Sequence, residues 1–184
     1  LEQWLIDHPS TAVVGPRILN ADDTVQASAR RFPGISAALG GRSTWLSQRY
    51  PNNWFSRRHL LGLTSDTPLD VDWIAGSCMM TTRAAFEQVG GFDEQFFLYW
   101  EDADYCRRLK ALGLKTTYLP AVTVQHAGGH SAEQVRTLAI SAFHASALRL
   151  HLKHGGFPAR ITAPLANAAM RGRLLWRVRQ AARA

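Results

Sequence analysis

Glu101 and Asp102 are adjacent carboxylates at the point where helical apolar spacing begins in EDADYCRRLKAL, a segment that Gly113 closes one residue after Leu112. The N-terminus of a helix presents unpaired N–H groups and the positive end of the macrodipole. Carboxylates there are held ionised at neutral pH, which is what a general base requires. The same placement also describes ordinary capping, in which first-turn acids only stabilise the helix. Four aromatic residues, Phe96, Phe97, Tyr99 and Trp100, arrive just before the acids. Aromatic faces beside a carboxylate suit a sugar or another ring-bearing ligand and suit a core equally well, and Phe96 and Phe97 are expected to be packing residues.

His126 ends the strand-like run VTVQH and is followed by the small-residue loop AGGHS. An imidazole at a strand end beside glycines can reach a metal or a phosphate oxygen, although the usual role of a lone His is structural. His126 and His130 are four residues apart, but the glycines between them argue against a helical metal pair. Two D-x-D strings, Asp70 with Asp72 and Asp102 with Asp104, are too short to assign a metal site. No Ser/His/Asp ordering, phosphate-cradling glycine loop or nucleic-acid motif is present.

The elements that must position these residues alternate in type. LEQWLIDHPS reads as the end of an amphipathic helix stopped by Pro9, and TAVVGPRIL as a buried strand. Residues 21–67 form a long excursion over the domain, rich in turn residues, aromatics and arginine. VDWIAGSCMMTTR is the most strand-like stretch, Arg83 to Val89 a helix closed by Gly90 and Gly91, and KTTYLP and VTVQH two strands divided by Pro120. The chain is helical after Gly128 and Gly129, with breaks near HGGFPAR and at Pro164. Strands alternating with helices over residues 10–126 imply an α/β layer structure with a helical appendage.

The 184 residues suffice for one compact domain, and 46% apolar against 19% charged residues excludes a disordered or collagenous chain. No apolar run approaches the roughly 20 residues of a membrane-spanning helix. The chain opens at Leu1 within a helix-patterned segment, without an initiator Met or an apolar signal core, and is read as a piece of a longer protein. Cys78 and Cys106 suggest neither a zinc site nor a disulfide framework, which suits a reducing compartment. The net charge of +7 is uneven: residues 133–184 hold nine Arg or Lys and one acid, whereas residues 1–132 hold 12 basic and 13 acidic residues. A basic tail implies an anionic partner.

VDWIAGSCMMTTRAAFEQVGGFDEQFFLYWEDADYCRRLKALGLKTTYLPAVTVQHAGGHS resembles, in the order and spacing of GSCM, GGFDE, WED and a strand-end His, the C-terminal half of a glycosyltransferase family 2 enzyme. The likeness is to rhamnosyltransferase-like and galactofuranosyltransferase-like members that build bacterial cell-wall and surface polysaccharides. It implies the C-terminal part of a GT-A fold, Rossmann-like with a mixed sheet. Residues 1–132 would form the acceptor-side half of that domain and residues 133–184 a basic helical tail. It further implies inverting transfer from a nucleotide-sugar donor to a glycan or polyprenyl-linked acceptor.

By the same resemblance Asp102 is the catalytic base and Glu101 orients it or the acceptor. Trp100, Trp73, Gly76, Ser77 and Asp93 line the acceptor side, and His126 helps hold a divalent metal, magnesium or manganese. The donor-binding half, with its metal-binding D-x-D, would lie before Leu1, so the isolated chain is expected to be inactive. The expected location is cytoplasmic, peripheral at the inner face of the cell membrane, with no nucleic-acid partner. In the tail, Met170, Leu174 and Val178 share one helix face and the arginines lie elsewhere, a pattern that suits a membrane surface or simple packing. The competing reading is a non-catalytic domain that binds an anionic membrane or completes a site with a partner chain.

Overall fold

The computed structural model describes residues 1–32, 49–50, 65–127 and 136–181. Its helices are α1 (Glu2–Asp7), α2 (Arg83–Gln88), α3 (Glu101–Ala111), α4 (Arg136–His154) and α5 (Gly156–Ala181). Its strands are β1 (Thr11–Leu19), β2 (Ala29–Arg30), β3 (Leu69–Val71), β4 (Trp73–Ile74), β5 (Met80–Thr81) and β6 (Lys115–Gln125). Packing divides the chain into two compact units, residues 1–91 with 105–128, and residues 92–104 with 129–184. The segment before α3 is thereby grouped with α4 and α5, which fall within the part the sequence set apart as a tail.

The first unit is built on a mixed sheet of order β3-β6-β1-β5 and a two-stranded sheet β2-β4, the expected α/β architecture. β1 runs parallel to β6 and antiparallel to β5. Such a parallel pair buries both faces, and Val13, Val14 and Ile18 are fully buried, as are Tyr105, Cys106 and Leu109 of α3. Gly15 is required where β1 passes β4, because a Cβ there would stand 2.4 Å from Ile74 Cγ2.

Two strand expectations are corrected. KTTYLP and VTVQH are one strand, not two. Pro120 is absorbed by a register shift in which Pro16 pairs with Leu119 and Arg17 with Thr123. Proline lacks the ladder N–H and is tolerated at such an irregularity. Conversely, VDWIAGSCMMTTR is divided into β3, β4 and β5. Asp72 turns the chain between the first two: its carboxylate meets Lys110 Nζ at 2.6 Å and the Phe32 N–H at 2.9 Å. β3 joins one sheet and β4 the other.

The helix ends follow their punctuation. Gly90, Gly91 and Gly113 adopt positive φ after α2 and α3, and Thr82 caps α2 by accepting from the Ala85 N–H. In the second unit α4 and α5 are separated at Gly155, where a Cβ would approach His151 O to 2.6 Å. Pro164, expected as a break, lies inside α5. The excursion from Ala21 to Thr67 falls largely outside the described residues, and so does His130.

Candidate active site

Glu101 and Asp102 open α3, as their spacing indicated. Asp102 is half-buried, and its Oδ1 accepts the Ala103 N–H at 2.7 Å. Two positions on, Asp104 points about 200° away around the helix and is fully buried. Its Oδ1 lies 2.7 Å from Lys153 Nζ and 2.7 Å from His154 Nε2. Of the D-A-D string, one carboxylate is committed to a buried ion cluster and the other stays within reach of solvent. Burial raises the Glu101 pKa, its own backbone N–H opposes that rise, and the neighbouring Asp102 charge adds to it. Glu101 Oε2 is buried with no hydrogen-bond partner among the described residues.

The turn into this helix is strained. Tyr99 and Trp100 have φ of 66° and 71°, left-handed values that cost a side-chain-bearing residue about 1–2 kcal/mol each. Such a turn persists only where its surroundings hold it, and α4 does so from one face. Trp100 Nε1–H donates to the Phe143 carbonyl at 3.2 Å, and Tyr99 meets the Phe143 ring edge-on. Ser146 Oγ donates to the Leu98 carbonyl at 2.9 Å, and the Arg149 guanidinium donates to the Gln95 side-chain oxygen. Lys153 adds an ion pair to Asp93 at 2.7 Å, whose other oxygen accepts the Gln95 N–H. Phe143, Ser146, Arg149 and Lys153 recur at the three- and four-residue spacing of one helix face. That spacing was the available signal for these residues, and it went unread because their partners lie some 40–60 positions away. Phe96 is buried as expected, whereas Phe97 is 76% exposed, correcting its assignment to packing.

The first unit carries the other candidates. Trp73 is buried, with its Nε1–H donated to the Arg31 carbonyl at 3.1 Å and the Arg30 guanidinium 5.2 Å over its ring. It is a buried residue, not an exposed contact. Gly76 and Ser77 are exposed in the turn between β4 and β5. His126 is exposed just beyond the end of β6. The Gln26 amide N–H donates to the His126 carbonyl at 2.8 Å, which leaves Gln26 Oε1 to face His126 Nδ1 at 3.3 Å. An oxygen there requires the proton on Nδ1 and leaves the Nε2 lone pair outward. That is the tautomer of a metal-ligating His whose other nitrogen is anchored by an acceptor. His126 therefore fits one place in a metal's coordination shell. No group of three or more metal-ligating side chains occurs among the described residues.

The profile of the family described as glycosyltransferase like family 2 matches residues 5–142. This chain belongs to glycosyltransferase family 2. N-acetylglucosaminyl-diphospho-decaprenol L-rhamnosyltransferase of Mycobacterium tuberculosis is 34% identical over 150 residues, 81% of this chain and 48% of its own length. The rhamnosyltransferase WbbL of Escherichia coli is 39% identical over 83 residues, 45% of this chain and 28% of its own length. A low-salt glycan biosynthesis hexosyltransferase of Haloferax volcanii is 30% identical over 112 residues, 56% of this chain and 29% of its own length. The chain thus spans about half or less of the length of these relatives. Among the described residues no helix is long and apolar enough to cross a membrane.

Proposed function

We propose that this chain carries the catalytic base and acceptor side of an inverting rhamnosyltransferase-like enzyme acting on a polyprenyl-diphosphate-linked sugar. The reading draws on the activity named for the mycobacterial relative and on one observation above all: of the acids two positions apart at the start of α3, Asp104 is locked in a buried ion cluster and Asp102 is not buried with it. A sugar hydroxyl is too weakly acidic to attack unaided. Asp102 accepts the hydroxyl proton as the oxygen bonds to the anomeric carbon of the nucleotide-sugar, and the bond to the nucleoside diphosphate breaks on the opposite face. Glu101, beside it, orients the base or the acceptor. Trp100, Trp73, Gly76, Ser77 and Asp93 are assigned to acceptor binding by the family resemblance, and Asp93 holds its own turn through Lys153 and the Gln95 N–H.

His126, through Nε2, would provide one ligand to a divalent cation, and that cation, when bound, supplies positive charge to the departing diphosphate. The remaining ligands and most of the donor site lie in chain beyond these residues, a view supported by the 48% coverage of the mycobacterial relative. In functional terms residues 1–132 are the acceptor-side half and residues 133–184 a basic segment that holds the enzyme peripherally at the inner face of the membrane.

The test is transfer by the complete protein. Nucleotide-rhamnose and a polyprenyl-diphosphate-linked N-acetylglucosamine are supplied with magnesium, and the product linkage is read by NMR. A rhamnosyl product with inverted anomeric configuration supports the reading. A retained configuration, or no rhamnosyl product while another sugar nucleotide is turned over, overturns it. The 184-residue chain alone is expected to be inactive.

A further inference from the structure

The face of α5 that carries large apolar side chains is the outward one. Ala159 is buried, and Ala163, Ala166, Met170 and Leu174 are half-buried on the same side. α5 packs on α4, with Thr162 Oγ1 3.2 Å from His151 Nε2. Met170 and Leu174, whose stripe the sequence left open between a membrane surface and simple packing, are on this half-buried side. Phe157, Ile161, Leu165, Leu175 and Trp176 are 52–75% exposed. At about 100° per residue they fall within an arc of roughly 100°. Exposed Arg160 and Arg171 border that arc, and α5 contains five arginines and no acidic residue.

We infer that this outward face of α5 lies in the interfacial plane of an anionic phospholipid bilayer. Phe157, Ile161, Leu165, Leu175 and Trp176 enter the acyl boundary and the bordering arginines meet lipid phosphates. The occupant is chosen by charge. A helix that sets exposed Arg160 and Arg171 beside an apolar strip and has no acidic residue matches a surface that is apolar below and negative above. A second copy of the same strip would set arginine against arginine. The inference deepens the peripheral attachment proposed above and names the residues that perform it. It does not depend on sugar transfer.

The experiment is co-sedimentation of the full 184-residue chain with vesicles of phosphatidylglycerol and phosphatidylcholine, compared with phosphatidylcholine alone. Light scattering reports the oligomeric state in parallel. The native chain is expected to bind the mixed vesicles, with binding falling as salt rises. Phe157→Glu with Ile161→Glu and Leu165→Glu should weaken binding by about tenfold or more, with an unchanged circular dichroism spectrum. Arg160→Glu with Arg171→Glu, which leaves the apolar strip intact, should weaken it on mixed vesicles only. Equal binding by the native chain and both variants overturns the inference. So does dimerisation abolished by the apolar variant without any vesicle binding, or equal binding to neutral vesicles. Asp102→Asn should bind vesicles like the native chain whether or not the transfer proposal holds, which keeps the two readings separable.

Discussion

Lys153 Nζ stands 2.7 Å from Asp104 Oδ1 and the same distance from Asp93 Oδ2, so one cation near the end of α4 ties the first turn of α3 to the GGFDE turn. Asp104 is fully buried, and removing a buried carboxylate's cation leaves a charge in low dielectric, a change worth about 3–5 kcal/mol when no other partner remains. His154 remains beside Asp104. Lys153→Met is therefore expected to lower stability by about 2 kcal/mol, measured by urea unfolding. Asp93→Asn, which leaves the Lys153–Asp104 pair, should cost under about 1 kcal/mol.

The strained pair Tyr99 and Trp100 gives a second expectation. Trp100→Phe keeps the ring contact with Phe143 and deletes the Nε1–H donor, and Ser146→Ala deletes the bond to the Leu98 carbonyl. Each should cost about 1 kcal/mol. In the complete enzyme Ser146→Ala should lower kcat with little change in KM if the turn positions Asp102. A KM effect alone would show that the turn only binds.

Glu101 sets a pH signature. Its folded pKa is raised, so the protonated form is the better buried one. Its contribution to stability is fully present below the ordinary glutamate pKa and is lost as pH rises through the folded value. Glu101→Gln should then raise the melting temperature at neutral pH, and the gain should vanish in acid below the ordinary carboxylate range. A gain of equal size at both pH values would assign the effect to something other than ionisation.

Gly15→Ala would drive a Cβ to 2.4 Å from Ile74 Cγ2. The expected loss is about 1–3 kcal/mol, the usual result of overpacking a filled core. Thermal unfolding of the two proteins measures it.

Local pattern predicted local structure well. The apolar run of β1, the acids opening α3 and the glycines after α2 and α3 each declare their element through neighbours a few residues away. What pattern concealed was which partner covers each face. The periodicity around Met170 and Leu174 marks an apolar stripe but not that it is the half-buried side of α5, and nothing near Phe97 indicates that it stays exposed while Phe96 is buried. The role of α4 as the clamp on the aromatic turn depends on side chains such as Ser146, whose partner Leu98 is 48 positions distant. Pro120 misled in the other direction, because a register shift accommodates it within a continuous strand. Of the candidate site, the positions of the carboxylates at the start of α3 and of His126 after a strand were legible; the burial of Asp104 beside a half-buried Asp102 was not, since Asp104 is held by Lys153 and His154.

The proposed function rests on Asp102 as the base. In the complete enzyme, kcat for sugar transfer by Asp102→Asn should fall by about 10²–10⁴-fold, with unchanged unfolding midpoint and vesicle binding. Transfer by Asp102→Asn within a few-fold of the native rate would contradict it.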